Sequence, residues 1–131
     1  PYIEGREVTV TVLENKDGGA KALPIIEIFP TSKFFDFNAK YDPKTREEVP
    51  AKNIDPTMQK QIEDTAIKAH KALDCRHYSR VDMVIDKQNK LQVLEVNTLP
   101  GMAPNSLMPK SAKAGGYPLE KLVDHLVKIA L

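Results

Sequence analysis

Two alternating, β-branched stretches joined by a short polar connection constrain the fold of this chain more than any other feature. They are RVDMVID at 80–86 and LQVLEVN at 91–97, and KQNK lies between them. The alternation predicts two strands, and the short connection predicts an antiparallel hairpin. If Asp86 faces Leu91, the partner numbers of all pairs have the same sum. The resulting pairs are Val84 with Val93, Asp82 with Glu95, and Arg80 with Asn97.

This hairpin gathers polar side chains on one face. Because side chains alternate between the two faces of a strand, Asp82 and Glu95 oppose each other beside Arg80 and Asn97. Opposed carboxylates about 5 Å apart repel by roughly 3 kcal/mol at an effective dielectric constant of about 20. A divalent cation compensates for this repulsion, and carboxylate and amide oxygens are the donors that Mg²⁺ prefers. Asp82, Glu95 and Asn97 are therefore candidate metal ligands.

Two other arrangements of the same residues stay open. Arg80 can bridge the two acids in a structural ion pair that requires no metal. Alternatively, the loop is one residue longer, in which case the register shifts and the acids no longer face each other.

The stretch after the second strand predicts an anion-binding corner. Pro100 and Gly101 predict a turn, and Ser106 is a predicted N-cap of a short helix that ends at the glycine pair 115–116. Backbone N–H groups at such a turn and helix start bind oxyanions. A metal face that leads into this corner suits a phosphate or an acyl phosphate.

The remaining pattern predicts an α+β domain, a mainly antiparallel sheet packed with helices. Strands are predicted over 7–14, 22–29 and 34–40, and a long polar loop follows the third of them. Asp55 predicts the start of a helix, on which His70 is expected at the surface or at an interface. The last helix is predicted to bury one stripe and to leave His125 solvated. The stripe consists of Leu119, Leu122, Val123, Leu126, Val127 and Ala130.

Composition excludes several classes of protein. The 131 residues suffice for one domain, and a net charge of +1 without a basic run gives no case for nucleic acid. No apolar run approaches the roughly 20 residues of a membrane span, so no membrane partner is expected. The single cysteine, Cys75, excludes an internal disulfide framework and favours a reducing cytoplasm. Because Pro1 stands where an initiator methionine is expected, the chain is predicted to be a segment of a longer polypeptide.

Several ordered motifs resemble the D-alanine–D-alanine ligases, which are ATP-grasp enzymes. EVNTLPGM, preceded by RVD and followed by SLMPK, resembles their C-terminal part, and the similarity extends upstream through PYIEGREVTVTVL, ALPIIEI and FFDFNAKYD. The resemblance implies that residues 1–131 form the C-terminal lobe of an ATP-grasp fold. The N-terminal and central domains of such a ligase are then absent, and the isolated chain is expected to be inactive.

The resemblance also implies a reaction. An ATP-dependent ligase of this family phosphorylates one D-alanine to an acyl phosphate, which the amine of a second D-alanine attacks. The implied location of the enzyme is the cytoplasm. The dipeptide is used for peptidoglycan synthesis, which underlies cell-wall biogenesis and cell shape. The implied cofactors are ATP and two Mg²⁺ ions, for which Mn²⁺ can substitute, and the implied parent protein is a homodimer.

Residue roles follow from the resemblance in the same way. The metal ligands are Asp82, Glu95 and Asn97, and Glu95 bridges the two ions. Arg80 and the N–H of Gly101 stabilise an oxyanion, while Ser106 and the N–H of Leu107 hold the second amino acid's carboxylate. Tyr41 closes the amino-acid site. The implied nucleotide contacts are Glu7 at the ribose, Phe34 beside the adenine, Lys40 near the transferred phosphate, and Leu94 below the adenine.

Alternatives accompany several of these roles. Glu7 can be a solvated residue at a strand end, and Phe34 and Leu94 can be core residues. The resemblance implies that the loop after Lys40 is a lid that closes over the nucleotide, but it can also be a surface connection. The family often has histidine where this chain has Asn105, which leaves the acceptor open. The rival functions are another ATP-grasp carboxylate–amine ligase and a non-catalytic nucleotide-binding module.

Overall fold

A computed structural model describes residues 1–30 and 45–131 of the chain. The strands are Gly5–Glu14 (β1), Ala20–Ala22 (β2), Ile26–Phe29 (β3), Arg46–Glu48 (β4), Tyr78–Asp86 (β5) and Leu91–Asn97 (β6). The helices are Pro56–Ala72 (α1), Leu107–Ala114 (α2) and Leu119–Ala130 (α3). Within the described residues the strands form one sheet in the order β4-β3-β1-β5-β6, with β2 also paired to β1, and every pairing is antiparallel. The predicted α+β class is confirmed.

The central strand β1 separates an apolar face of the sheet from a polar one. Val8, Val10 and Val12 are fully buried against Ile62 and Ala66 of α1. Burying an aliphatic side chain of this size contributes about 1.5–3 kcal/mol, so this layer is the main source of stability. The intervening residues of β1 point to the opposite face, where β5 places its charged side chains.

A second, smaller core holds α2 and α3 at one end of the polar face. It consists of Leu13, Leu23, Met108, Ala112 and Leu122. The stripe predicted for α3 is only partly buried, since Leu122 is fully buried but Val123 and Val127 are 44% and 53% exposed. The reason is that α3 packs against α2 and the end of the sheet instead of lying across the sheet, so that only a narrow line of it is covered.

Two strand predictions are corrected. The strand predicted over 22–29 is broken between β2 and β3 at Pro24, which has no N–H to donate to a ladder. The stretch after Lys44, predicted as a loop, contains β4, which pairs with β3 through Glu27 and Glu48. The strand predicted over 34–40 lies outside the described residues.

The start of α1 follows the sequence prediction. Asp55 is the N-cap, its Oδ1 accepts a hydrogen bond from the Met58 N–H at 2.9 Å, and Pro56 occupies the first turn. We expect Asp55→Ala to lower the free energy of unfolding by about 1 kcal/mol, because an N–H at the helix start loses its acceptor. Urea denaturation measures the change. Asp64→Ala, at an exposed position of the same helix, is the control, and equal losses in the two variants would contradict the capping role.

At the end of α1, His70, which was predicted to lie at the surface or at an interface, is fully buried between the helix and the sheet. Its Nε2–H donates to Oε1 of Glu14 at 3.1 Å, and its Nδ1 lies 2.7 Å from the Ser79 Oγ. The backbone N–H of His77 donates to Glu14 Oε2 at 2.7 Å. His125, predicted to be solvated, donates from Nε2 to the Glu14 carbonyl oxygen at 2.7 Å. Glu14 therefore joins α1, α3 and the sheet.

Opposing effects act on the Glu14 carboxyl. Burial raises its pKa, but the hydrogen bonds from the His77 backbone and the His70 ring together outweigh burial, and the pKa lies below its ordinary value. A lowered carboxyl pKa means that the charged form contributes stability above the ordinary pKa, and that this contribution is lost as the pH falls through the lowered value.

Candidate functional site

The β5–β6 hairpin brings the predicted metal ligands together. Asp82 pairs with Glu95 and Arg80 with Asn97, as the sequence predicts. These residues lie on the polar face of the sheet, opposite α1, because Asp82 also pairs with Thr9 of β1. Two carboxylates, an amide and a guanidinium therefore share one surface.

The hairpin register changes beyond this group, which corrects the rest of the predicted pairing. Between Asp82 and Met83 the ladder contains a β-bulge that leaves Leu94 without a Cα partner. The observed pairs are Met83 with Val93, Val84 with Gln92, and Ile85 with Leu91, in place of Val84 with Val93 and Asp86 with Leu91. Leu94 is 50% exposed, so the core alternative for it is wrong. Bulges are frequent beside active sites, where they redirect a side chain.

Arg80 and Asp82 form a bidentate ion pair along β5. Arg80 Nε lies 2.9 Å from Asp82 Oδ1, and Nη2 lies 3.0 Å from Oδ2. The two side chains are only 9% and 13% exposed, so solvent screens the pair weakly. Of the arrangements left open by the sequence, the structural ion pair is present at Asp82. It fixes the guanidinium on the face that also carries Glu95.

Thr9 adds a third hydrogen bond to this carboxylate, a contact that the sequence prediction missed. Its hydroxyl lies 2.6 Å from Asp82 Oδ1 and 3.3 Å from the carbonyl oxygen of Val81. The alternation of β1 places Thr9 on the polar face, but only the pairing of β1 with β5 brings it beside Asp82. A sequence pattern gives the face of a residue and not its cross-strand neighbour.

The donor set fits Mg²⁺ that is held partly by a substrate. Within the described residues, no group of three or more His, Cys, Asp and Glu side chains can hold a metal ion, so the set consists of two carboxylates and the Asn97 amide. The Leu99 N–H donates to Asn97 Oδ1 at 2.9 Å and orients that amide. Protein sites for Mg²⁺ commonly supply one or two carboxylates and leave the other positions to phosphate and water.

Gly101 and the start of α2, the two parts of the predicted anion corner, lie next to each other. Ser106 is the N-cap of α2 with an extended backbone, and its hydroxyl makes no capping hydrogen bond to the helix. A Cβ atom on Gly101 would lie 3.0 Å from the Ser106 Oγ, so these two residues are neighbours. The glycine leaves room beside Ser106, and α2 begins at Leu107, so the first N–H groups of the helix have no acceptor within it.

Helix α2 is fastened to the sheet by contacts that the sequence prediction did not include. Lys110 Nζ lies 2.5 Å from Glu47 Oε2 on β4, and the Ser111 hydroxyl donates to the carbonyl oxygen of Pro24 at 2.7 Å. Because Lys110 and Ser111 lie in the second turn after Ser106, these contacts fix the position of the anion corner relative to the sheet.

The predicted nucleotide residues are only partly described. Glu7 is half-buried on the polar face of β1, two residues before Thr9, and it pairs with Ile28 and Val84. Leu94 lies at the bulge next to Glu95. Phe34, Lys40 and Tyr41 lie outside the described residues.

Every helix within the described ranges is too short or too polar to cross a bilayer.

Comparisons with known proteins point to one family. Residues 1–128 match the family described as "D-ala D-ala ligase C-terminus". A D-alanine–D-alanine ligase of Desulfotalea psychrophila is 43% identical over 132 residues, which cover 99% of this chain and 40% of the relative. The chain thus spans about two fifths of the length of such relatives.

Solved structures give the same result. A D-alanine–D-alanine ligase from Bacillus anthracis, complexed with ATP, has a TM-score of 0.79 and 41% identity, over 98% of this chain and 40% of that chain. The VanG D-Ala:D-Ser ligase from Enterococcus faecalis has a TM-score of 0.80 and 32% identity, over 99% of this chain and 37% of that chain.

Proposed function

The chain belongs to the D-ala D-ala ligase C-terminus family, and we propose that it is the C-terminal ATP-grasp lobe of an ATP-dependent ligase that joins two D-alanines. Because it spans about 40% of its relatives, the N-terminal and central domains are assigned to a longer parent protein. The observation that carries the proposal is the pairing of Asp82 with Glu95 and of Arg80 with Asn97 beside the Gly101–Ser106 corner.

In the proposed reaction, the carboxylate of the first D-alanine takes the terminal phosphoryl group of ATP and becomes an acyl phosphate. The amine of the second D-alanine attacks the acyl carbon. A C–N bond forms, the C–O bond to phosphate breaks, and the amine loses a proton. Magnesium held by this chain would supply neutralisation of the phosphate charge during the phosphoryl transfer. Asp82, Glu95 and Asn97 would hold two such ions, or Mn²⁺ in their place, with Glu95 as the shared ligand.

The residues of this chain also position the acyl group and the second amino acid. Arg80 and the N–H of Gly101 donate to the oxyanion of the tetrahedral intermediate. The ion pair with Asp82 supports this role for Arg80, because the guanidinium is already oriented and no reorganisation is required. Ser106 and the N–H of Leu107 hold the carboxylate of the second D-alanine at the start of α2, where the helix dipole favours an anion.

The nucleotide is assigned to the same polar face. Glu7 binds the ribose, and the exposed Leu94 contacts the adenine from its place next to Glu95. Phe34, Lys40 and Tyr41 keep their proposed roles at the adenine, the transferred phosphate and the amino-acid site on the resemblance alone. The parent is proposed to be a cytoplasmic homodimer that serves peptidoglycan synthesis, with no nucleic-acid or membrane partner.

A second candidate differs only in the acceptor. Asn105 stands where the family often has histidine, immediately before Ser106 in the corner assigned to the second amino acid. The similarity in fold to a protein named as a D-Ala:D-Ser ligase is consistent with a different acceptor. D-Serine or another amino or hydroxy acid is therefore the alternative second substrate.

The proposal is tested by ADP formation from ATP and Mg²⁺ on the full-length parent and on this chain alone. We expect turnover by the parent that requires D-alanine, and none by the isolated chain. A parent that turns over only with D-serine or another acceptor would retain the fold and reaction class but change the substrate. Neither protein forming ADP with any acceptor would favour a nucleotide-binding module, and ligation by the isolated chain would refute its assignment as one incomplete lobe.

A further inference from the structure

We infer that Thr9 is a positioning residue for Asp82, and through Asp82 for the metal site and for Arg80. The inference rests on the proposed function, which makes Asp82 a magnesium ligand. Thr9 is 1% exposed and lies in β1, the central strand that pairs with β5. A hydroxyl in such a place cannot exchange its protein partner for water, so it must find one within the sheet.

The hydrogen of the Thr9 hydroxyl has two acceptors within reach, and the distances favour Asp82. The Asp82 Oδ1 lies 2.6 Å away, within the range of a charge-assisted O–H···O⁻ bond, whereas the Val81 carbonyl oxygen lies at 3.3 Å. Hydrogen bonds to a charged group are about twice as strong as those between neutral groups. The hydroxyl is therefore committed to the carboxylate.

Thr9 and Arg80 together define the plane of the Asp82 carboxylate. Oδ1 accepts from the Thr9 hydroxyl and from Arg80 Nε, while Oδ2 accepts from Arg80 Nη2. Arg80 alone fixes the carboxylate relative to a side chain of its own strand. Thr9 ties the same carboxylate to the neighbouring strand, which removes the freedom of the pair to swing together.

This arrangement matters for a metal ligand because the ligand atoms must stay within a fraction of an ångström of their productive positions. Groups that hydrogen-bond to the ligands commonly supply that constraint, and removing one typically costs 10–100-fold in metal affinity or activity. Thr9 meets this description by burial, distance and charge. The same contact supports the orientation of Arg80, which shares the carboxylate.

The chain offers a matched control in Thr11. It lies two residues further along β1, on the same face, with 2% exposure, and pairs with Arg80. Within the part of the chain that the structure describes, Thr11 makes no hydrogen bond to Asp82. Thr9→Val and Thr11→Val both replace a buried hydroxyl by a methyl group, so they differ in the contact with the carboxylate.

The test uses the full-length parent and measures Mn²⁺ binding by electron paramagnetic resonance in the presence of ADP, together with the Mg²⁺ concentration for half-maximal ADP formation. We expect Thr9→Val to raise both the Mn²⁺ dissociation constant and that Mg²⁺ concentration by about 10-fold. Thr9→Ser, which keeps the hydroxyl, and Thr11→Val are expected to leave both values within about two-fold of those of the unsubstituted full-length protein. A melting temperature for each variant separates loss of folding from loss of positioning.

Two further variants make every outcome decisive. If Asp82→Asn weakens Mn²⁺ binding but Thr9→Val does not, the positioning role is overturned and the proposed metal site stands. If neither variant changes Mn²⁺ binding, both the positioning role and the proposed metal site are overturned. A loss of equal size in Thr9→Val and Thr11→Val would assign the effect to packing and overturn the positioning role. If Thr9→Val does not fold, Thr9→Ala carries the same comparison, because it removes the hydroxyl without adding a methyl group.

Discussion

Replacing Glu95 by glutamine is expected to slow ADP formation by the full-length protein about 100- to 1000-fold, because metal-ion charge stabilisation contributes several kcal/mol and each 1.36 kcal/mol is tenfold. Glutamine keeps the size of the side chain but removes the charge of the ligand that is proposed to lie between two ions. The measurement is kcat as a function of Mg²⁺ concentration. The bulge at Leu94 places Glu95 opposite Asp82, which is why its charge has this effect.

Stability distinguishes this role from a structural one. Asp82 and Glu95 are like charges on opposed residues, so removing one of them does not weaken the sheet by loss of attraction between the pair. We expect the free energy of unfolding of Glu95→Gln to lie within about 0.5 kcal/mol of that of the unsubstituted protein. Glu120→Gln, in the first turn of α3, is the control for the loss of one exposed acid. A kcat within three-fold of the parent for Glu95→Gln would rule out the bridging role.

The hairpin illustrates how far sequence reasoning extends at this site. The pairs at Asp82 and Arg80 were predicted correctly, because the alternation of β5 and β6 and the polar residues at their ends favour that register. The pairs nearer the turn were wrong by one residue. A bulge adds a single residue to one strand, and neither composition nor alternation indicates its position. On either side of the bulge the paired residue numbers have different sums, so one register cannot describe the whole hairpin.

Polar contacts across the fold were the other part that sequence could not supply. The N-cap at Asp55 was predicted because a cap acts on residues three positions away. Thr9 and Asp82 are separated by 73 residues, and His70 and Glu14 by 56. Such partners become visible only when the order of the strands is known. The spacing of Met58, Ile62 and Ala66 continues to His70 and indicates its face of the helix, but it does not identify Glu14 and Ser79 as the partners that allow a buried histidine.

The burial of His70 leads to the largest expected loss of stability. We expect His70→Ala to lower the free energy of unfolding by about 3 kcal/mol, since it combines a cavity with the loss of two hydrogen bonds. The fully buried Ser79 hydroxyl loses its hydrogen bond to the His70 ring. The Glu14 carboxylate loses its hydrogen bond from His70 and keeps the one from the His77 backbone N–H. Urea denaturation followed by circular dichroism measures the change.

His77→Asn is the matched control for this substitution. Its contact with Glu14 comes from the backbone N–H, and asparagine tolerates the positive φ of 70° at this position, so the variant keeps the hydrogen bond while removing a histidine ring. It is expected to lose less than about 1 kcal/mol. Thr9 and Glu14 are five residues apart on β1, roughly 16 Å along the strand, so the Mg²⁺ dependence of His70→Ala should match the parent protein. Equal destabilisation by the two histidine variants would show that the buried ring does not join α1 to the sheet.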